Sequence, residues 1–410
     1  MIGEKNKIAY LAPEIPALSA TFVYNEILGL KDRGYKIVPI SVHVPGSKAE
    51  EAPAKDLARK THYLYRESSW VIFLANLTMF AKRPIRYVRA LLTVISDALK
   101  IGVSTHIGKG LFYRFFAASR VAEIIIKKKC NHLHANFAHI PTDIAMYASK
   151  ISEVPFSFTS HANDLFERGW LLKEKVERAK FAVTISEYNR RFLSEQGSLK
   201  QKIHIVRCGV DRSAFKTRDK KPMEDIFRMG TLGRMVEKKG FDVLIRACKI
   251  LKDKGVTFHL GIAGDGPQRK YLHDLVNSSD LTGDISFQGP LPHDRVPTWM
   301  HELDLFVLPC RKDRQGDMDG IPVVLMEAML SGVPVVSTRL SGIPELVEDG
   351  KTGILAAQDA PEDLALAIIR IHSDEQLRDR LRKNAVSRVE TEFDINKNIE
   401  KLSSLFNLYG

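Results

Sequence analysis

The chain has 410 residues, 44% hydrophobic and 27% charged, a balance that excludes intrinsic disorder and suits two domains of about 150–200 residues each. Its four cysteines, Cys130, Cys208, Cys248 and Cys310, form no C-x-x-C pair; this spacing suggests neither a zinc site nor a disulfide framework and fits a reducing cytosol. The net charge of +12 is uneven: residues 1–205 hold 31 basic and 18 acidic side chains, the remainder 30 and 31.

The chain opens on "MIGEKNKIAYLAPEIP", which lacks the apolar region of a signal peptide and runs straight into a strand-like segment. Strand-like runs follow at "YKIVPISV" (35–42), "NHLHANF" (131–137), "PFSFTSH" (155–161), "KFAVTIS" (180–186) and "KIHIVRCG" (202–209), with helical patterns between them. The apolar run "WVIFLANLTMFA" (70–81) is too short for a bilayer, which needs about 20 residues. Residues 82–129 hold 11 basic and 2 acidic side chains, interleaved with apolar and aromatic ones. The polar stretch 211–225 reads as a linker. The alternation then resumes with "FRMGTLGR" (227–234), "FHLGIAGDG" (258–266), "ISFQGP" (285–290), "LFVLPC" (305–310), "VPVVST" (333–338) and "TGILAA" (352–357). Alternating strands and helices predict an α/β protein of two doubly wound parallel-sheet domains, whose ligands bind beyond the carboxyl ends of the strands.

Three turns after strands carry the chemistry. "GRMVEKKGFD" (233–242) places Arg234 and Lys239 before a helix, a pattern suited to a diphosphate and equally to a solvated basic turn. "AGDGP" (263–267) offers Gly264 and Gly266 for close backbone approach to a ligand, and a tight turn needs the same residues. It lacks G-x-G-x-x-G spacing, so nicotinamide binding is unsupported. In "GDMDGIPVVLMEAMLSG" (316–332), Pro322 suits the first helical turn and Gly332 the residue past the end. Asp319 then precedes the helix and Glu327 falls in its second turn, roughly 10 Å along the chain, too far for an acid–base dyad. A ligand spanning the turn meets a carboxylate at each end, with its charge on the helix amides, Arg234 and Lys239. Asp317 and Asp319 also form the Asp-x-Asp of metal-dependent sugar transferases, but no His or Glu cluster completes a metal site.

The chain resembles the retaining GT-B glycosyltransferases of family four, most closely those that build bacterial exopolysaccharides of the colanic acid and amylovoran kind. The resemblance spans nearly the whole chain and is most specific over "MDGIPVVLMEAMLSGVPVVSTRLSGIPELVEDGKTGIL" (318–355), with "GRMVEKKG", "AGDGP" and "PEIPALSATFVYNEI" (13–27) in support. It implies two Rossmann-like domains facing across a cleft: an acceptor domain over 1–210, a linker over 211–225, a donor domain over 226–390, and a helix over 391–410 returning to the first domain. It also implies residue roles. Glu327 holds the donor ribose; Asp319 and the Gly320–Ile321–Pro322 backbone hold the transferred sugar; Arg234 and Lys239 hold the diphosphate; His161 reaches the sugar from the first domain. Asp319 replaces the usual glutamate and Ala20 stands where a glutamate is usual, while Thr21 and its neighbouring amides form an acceptor-side loop that can contact phosphate.

The expected reaction moves a hexose from a UDP- or GDP-sugar to a lipid-linked saccharide with retention of configuration. It requires no cofactor and no metal. A GT-B epimerase or phosphorylase, or a non-catalytic nucleotide-sugar-binding protein, would share the architecture; a phosphorylase would need a pyridoxal lysine, which no motif identifies. The basic stretch 82–129, with Trp70, Phe73, Phe80, Phe112, Phe115 and Phe116 nearby, predicts docking on an anionic membrane surface, on the cytoplasmic face of the inner membrane. No nucleic-acid module is recognised.

Overall fold

The computed structural model describes residues 7–16, 21–46, 52–197, 199–218 and 225–409; Ala20 lies outside them. The chain forms two units, one of Met1–Ile185, Asn189–Val206 and Ile399–Gly410, the other of Ser186–Tyr188 and Arg207–Asn398.

The first unit is built on β1 (Lys7–Glu14), β2 (Lys36–His43), β3 (His62–Tyr63), β4 (His132–Asn136), β5 (Phe156–Ser160), β6 (Ala182–Thr184) and β7 (Ile203–Ile205). They pair in parallel in the order β3-β2-β1-β4-β5-β6-β7. Its helices are α1 (Thr21–Asp32), α2 (Ala52–Lys60), α3 (Ser69–Lys82), α4 (Pro84–Ile101), α5 (His106–Lys128), α6 (Ile140–Ser152), α7 (Asn163–Phe166), α8 (Leu172–Arg178) and most of α9 (Glu187–Glu195). Residues Ile8–Ala12 of β1 are wholly buried, because helices cover both faces of a parallel sheet and leave its central strands no polar side.

The second unit repeats the plan with β8 (Phe227–Leu232), β9 (Phe258–Ala263), β10 (Ile285–Gly289), β11 (Leu305–Val307), β12 (Val335–Thr338) and β13 (Ile354–Ala356), ordered β10-β9-β8-β11-β12-β13. Its helices are α10 (Phe241–Asp253), α11 (Arg269–Ser278), α12 (Val296–His301), α13 (Val323–Leu330), α14 (Ile343–Leu346), α15 (Pro361–Ser373) and α16 (Glu375–Glu392), followed by the first residues of α17 (Ile395–Tyr409). Strand order reverses between β1 and β4 in one sheet and between β8 and β11 in the other. Such switch points open the crevices in which doubly wound sheets take ligands.

Three local expectations change. Of the linker expected over 211–225, residues 211–218 are anchored to the second unit: Thr217 Oγ1 donates to Leu330 O and Arg218 Nη1 to His301 O, and Phe215 is buried, while residues 219–224 lie outside the described ones. The helix expected over 391–410 does return to the first unit but starts later, as α17, of which Ile399–Tyr409 belong to that unit; there Tyr35 Oη donates to Asn407 Oδ1 at 2.7 Å and Phe406 packs against His132, His134 and Phe181. Within 82–129, Phe115 is fully buried, Phe112 is partly buried, and Arg114 is an interior residue ion-paired with Asp143 at 2.9 Å. The inward stripe of α5 runs Leu111, Phe115, Ala118, Ala122, Ile125, the three-and-four spacing of a core-facing helix.

Candidate active site

In the second unit the turn after β8 and the turn after β9 lie against each other. Met235 N–H donates to Asp265 O at 2.9 Å and Gln268 N–H to Met235 O at 3.0 Å. Contact this close explains "AGDGP". Gly264 has φ +125° and a Cβ there would lie 2.0 Å from Gly233 O; at Gly266 a Cβ would lie 2.5 Å from Met235 O. These glycines let one turn seat on the other, so their demonstrated contact is with backbone, and the seating fixes the direction in which the Gly233–Arg234 peptide faces. Arg234 is exposed on that turn.

Lys239 closes a short 3₁₀ turn, Glu237–Lys239, and its side chain runs over Gly233, to which a Cβ would approach Lys239 Cε at 3.4 Å. Its ammonium meets Asp319 Oδ2 at 2.6 Å. Lys238, which the sequence reading passed over, reaches Asp317 Oδ2 at 2.7 Å and Asp319 Oδ1 at 3.4 Å. Two carboxylates therefore face two ammoniums. Burial pushes Asp319 up, but the charges of Lys239 and Lys238 outweigh it and hold the carboxyl below its ordinary range. Burial likewise favours neutral Lys239, yet Asp319 holds it above its usual value. The Cys310 thiol donates to Asp319 Oδ2 at 3.4 Å, and burial with the adjacent carboxylate drives that thiol up.

Gly320 and Ile321 form the buried turn into α13. Pro322 is the residue before the helix, extended at φ −63°, ψ 125°, rather than inside its first turn. A proline here needs no donor, and the N–H groups of the following turn have no intrahelical acceptor. Glu327 is buried in the second turn, with its Oε1 3.5 Å from His293 Nε2. His293 belongs to the 3₁₀ turn His293–Arg295, and Phe215 of the supposed linker packs against its ring at 5.9 Å. His293 and Phe215 carry no local motif that would have marked them.

His161 follows β5 in the first unit, and Thr21 is the first residue of α1 rather than part of a loop. The His161 backbone N–H donates to Asp164 Oδ1 at 2.9 Å, and its ring lies against Phe22 and Phe137 at 4.6 and 4.7 Å. Burial lowers its pKa to about 3, so it is neutral at pH 7. A chain of hydrogen bonds runs from the ring: His161 Nε2 to Asn136 Oδ1 at 2.9 Å, Asn136 Nδ2 to Tyr10 Oη at 2.8 Å, and Tyr10 Oη to Glu26 Oε1 at 2.5 Å. With Glu26 accepting, each link has one direction, and His161 carries its proton on Nε2. Burial raises Glu26 to about 7, against the lowering effect of its bond to Tyr10.

The second unit thus gathers Arg234, Lys239, Asp319, Gly264, Gly266 and the Gly320–Pro322 turn around the β8 and β11 strand ends, with Glu327 further along α13. His161 and Thr21 belong to the other unit. Among the described residues no cluster of three or more His, Cys, Asp or Glu side chains suits a metal ion.

A parallel sheet with its switch point flanked by a basic turn and a carboxylate-bearing helix start, in a chain that carries a second sheet of the same kind, defines the GT-B fold class. The model for "Glycosyltransferase Family 4" matches residues 19–214 and that for "Glycosyl transferases group 1" residues 213–388. The "Putative colanic acid biosynthesis glycosyltransferase WcaL" of Salmonella typhimurium is 31% identical over 88% of this chain and 89% of its own. The amylovoran biosynthesis glycosyltransferase AmsK of Erwinia amylovora is 29% identical over 95% and 96%. The chain belongs to this family of glycosyltransferases. Among solved structures, Anabaena HepE in complex with UDP and glucose superposes with a TM-score of 0.71 at 17% identity, covering 98% of this chain and 100% of HepE.

Proposed function

We propose that the protein transfers a hexose from a UDP- or GDP-sugar to a hydroxyl of a lipid-linked saccharide, with retention of configuration, in bacterial exopolysaccharide or lipopolysaccharide biosynthesis. The observation that carries the reading is the grouping of exposed Arg234, the Lys239–Asp319 pair and the start of α13 at the β8 and β11 strand ends. The names of AmsK and WcaL support the pathway, and the UDP and glucose bound to HepE support the class of donor.

In this reaction the bond from the anomeric carbon to the diphosphate oxygen breaks, the bond to the acceptor oxygen forms on the same face, and the acceptor proton passes to the departing diphosphate. No carboxylate nucleophile is invoked. Arg234 and the first amides of α13 take the charge that grows on the leaving group, and Lys239 adds a fixed positive potential. Asp319, kept ionised by its lysines, accepts hydrogen bonds from the sugar; Glu327 accepts them from the ribose. His161, being neutral, serves the sugar as a hydrogen-bonding group and not as a cation. Lys238 and Lys239 stand where a metal-dependent enzyme would have its cation, so transfer is expected to be metal-independent. Exposed cations of the first unit bring the protein to an anionic membrane surface that holds the acceptor.

The test is turnover of UDP- and GDP-hexoses with a prenyl diphosphate saccharide, with the product anomer read by NMR. A retained anomer, activity in excess EDTA, and a turnover loss of about ten- to more than a hundredfold in Arg234→Ala are expected, since a charge-assisted bond contributes about 1.5–3 kcal/mol. An inverted anomer, or EDTA inhibition rescued by magnesium or manganese, would overturn the mechanism.

A further inference from the structure

Helix α4 has two apolar faces. Ala90, Val94 and Ala98 are buried in the unit's core, while Ile85, Val88, Leu92, Ile95 and Leu99 are exposed, from 39% at Ile95 to 68% at Ile85. Spacings of three and four place these five on one stripe along an 18-residue helix. Beside it, α3 exposes Trp70, Phe73, Leu74, Leu77 and Phe80, and α5 exposes Tyr113 and Phe116. The regions adjoin where Phe80 meets Tyr87, ring centroids 5.6 Å apart. Between α3 and α5 lies a mostly apolar cavity of about 520 Å³, lined by Ile72, Phe73, Leu77, Phe80, Tyr87 and Phe116 among others. Its amide, Asn76, is internally satisfied: Nδ2 donates to Ile72 O and Phe116 O, and Oδ1 accepts from Tyr87 Oη.

A surface this apolar needs an occupant, and its charges say which. The carboxylates here are all paired: Glu67, which lines the cavity, and Glu123 both bond Arg120, at 2.7 and 2.9 Å and at 2.7 Å, and Asp97 is buried under Arg178, at 2.6 and 2.8 Å, and Tyr147 Oη, at 3.0 Å. Lys82, Arg89 and Lys109 are exposed along the same helices. A second copy laid on this face would set Lys82, Arg89 and Lys109 against their own counterparts, with the nearby carboxylates already taken by Arg120 and Arg178. An anionic leaflet supplies the opposite charge at its surface and hydrocarbon beneath it. Among the described residues no helix is long and apolar enough to cross a membrane, so the contact is interfacial.

We propose that α3, α4 and the start of α5 are an insertion element that enters an anionic leaflet by this apolar face, with one phospholipid acyl chain seated in the cavity between α3 and α5. This rests on the membrane docking given under Proposed function and replaces adsorption by charge alone with penetration. Trp70, exposed at the start of α3, is a native reporter.

The experiment uses phosphatidylglycerol–phosphatidylcholine vesicles brominated on the acyl chains. Wild-type tryptophan emission is expected to be quenched on binding, and Trp70→Phe to remove most of that quenching without preventing sedimentation. In the Trp70→Phe background, Phe73→Trp is expected to restore quenching by bromines near mid-chain. Leu92→Glu with Leu99→Glu should weaken vesicle binding by at least about tenfold while leaving transfer to a water-soluble acceptor intact. Sedimentation that is salt-sensitive but leaves tryptophan unquenched would overturn insertion and leave electrostatic docking standing. Absence of binding to anionic vesicles would overturn both without touching glycosyl transfer. A solution dimer dispersed by Leu92→Glu would assign the face to a second copy instead.

Discussion

The two units place polar groups at the same position, the carboxyl ends of parallel strands beside a switch point, yet they stabilise them in opposite ways. In the second unit Lys239 and Asp319 are both charged, each holding the other in its ionised form against burial. In the first, His161 is neutral and joined through Asn136 and Tyr10 to a carboxyl that burial drives toward protonation. Fixed charge suits a region that receives a diphosphate. A directed chain of dipoles suits one that must orient a hydroxyl without competing for a proton. The same architecture therefore supports a charge-bearing end and a charge-poor end, and the difference lies in a few side chains rather than in the fold.

The largest effect that separates the two is expected from Lys239→Met. It preserves the stem over Gly233 and removes the charge, leaving Asp319 with Lys238 at 3.4 Å. Loss of preorganised stabilisation of the leaving group lowers turnover by about a hundred- to a thousandfold, and the weakened pairing costs about 1–3 kcal/mol of stability. Kinetics and urea unfolding of the same preparation measure both. Unchanged turnover alongside lowered stability would reduce the pair to a structural role and break the contrast between the units.

A smaller effect is expected at Glu327. Replacing it by Ala removes a carboxylate at 3.5 Å from His293 and the proposed contact to the ribose, so the donor dissociation constant rises by about ten- to a hundredfold while turnover at saturation changes little. His293→Ala, which leaves the carboxylate in place, is expected to raise it less. Calorimetric titration with UDP and GDP provides the values. Equal effects on donor binding and on turnover would move Glu327 from ribose recognition into the transition-state contacts.

Of the sequence expectations, those set by periodicity were the legible ones. Each run assigned as a strand is a strand, because short runs dominated by apolar and β-branched residues between helical patterns suit a parallel sheet covered on both faces, even where, as in β4 and β5, buried His, Asn, Ser and Thr are interspersed; β3, at two residues, is too short to leave a pattern. Pairings between distant positions were not legible. Lys239 and Asp319 are 80 residues apart, and nothing in either motif indicates that one neutralises the other. Tyr10, Glu26 and Asn136 come from a strand, a helix and another strand, with no shared spacing to mark them. The adjacent Lys238 stands in "EKKG" with no spacing that sets its role apart from that of Lys239. Arg114 and Phe115 could have been removed from the surface by the phase of α5, since Leu111, Phe115, Ala118 and Ala122 already trace its inward face.

The last expected effect isolates the neutral chain of the first unit through pH and is confined to stability. The folded pKa of Glu26 is about 7 against an ordinary 4.5. Raised in this way, it contributes stability that is fully present below pH 4.5 and is lost as pH rises through about 7. His161 runs the other way: depressed to about 3 from 6.5, it contributes stability present above pH 6.5 and lost as pH falls toward 3. The ion pair of the second unit has no term in this window, because Asp319 is lowered below 3.8 and Lys239 raised above 10.5. Glu26→Gln keeps an acceptor for Tyr10 Oη and removes the titration. Thermal unfolding from pH 4.5 to 8 should then show the variant gaining on wild type as pH rises, by about 1.4 kcal/mol for each unit of raised pKa that it removes. A Glu26→Gln curve parallel to wild type would mean that Glu26 is already ionised in the folded protein at pH 5, and that the first unit holds a charge where the comparison places none.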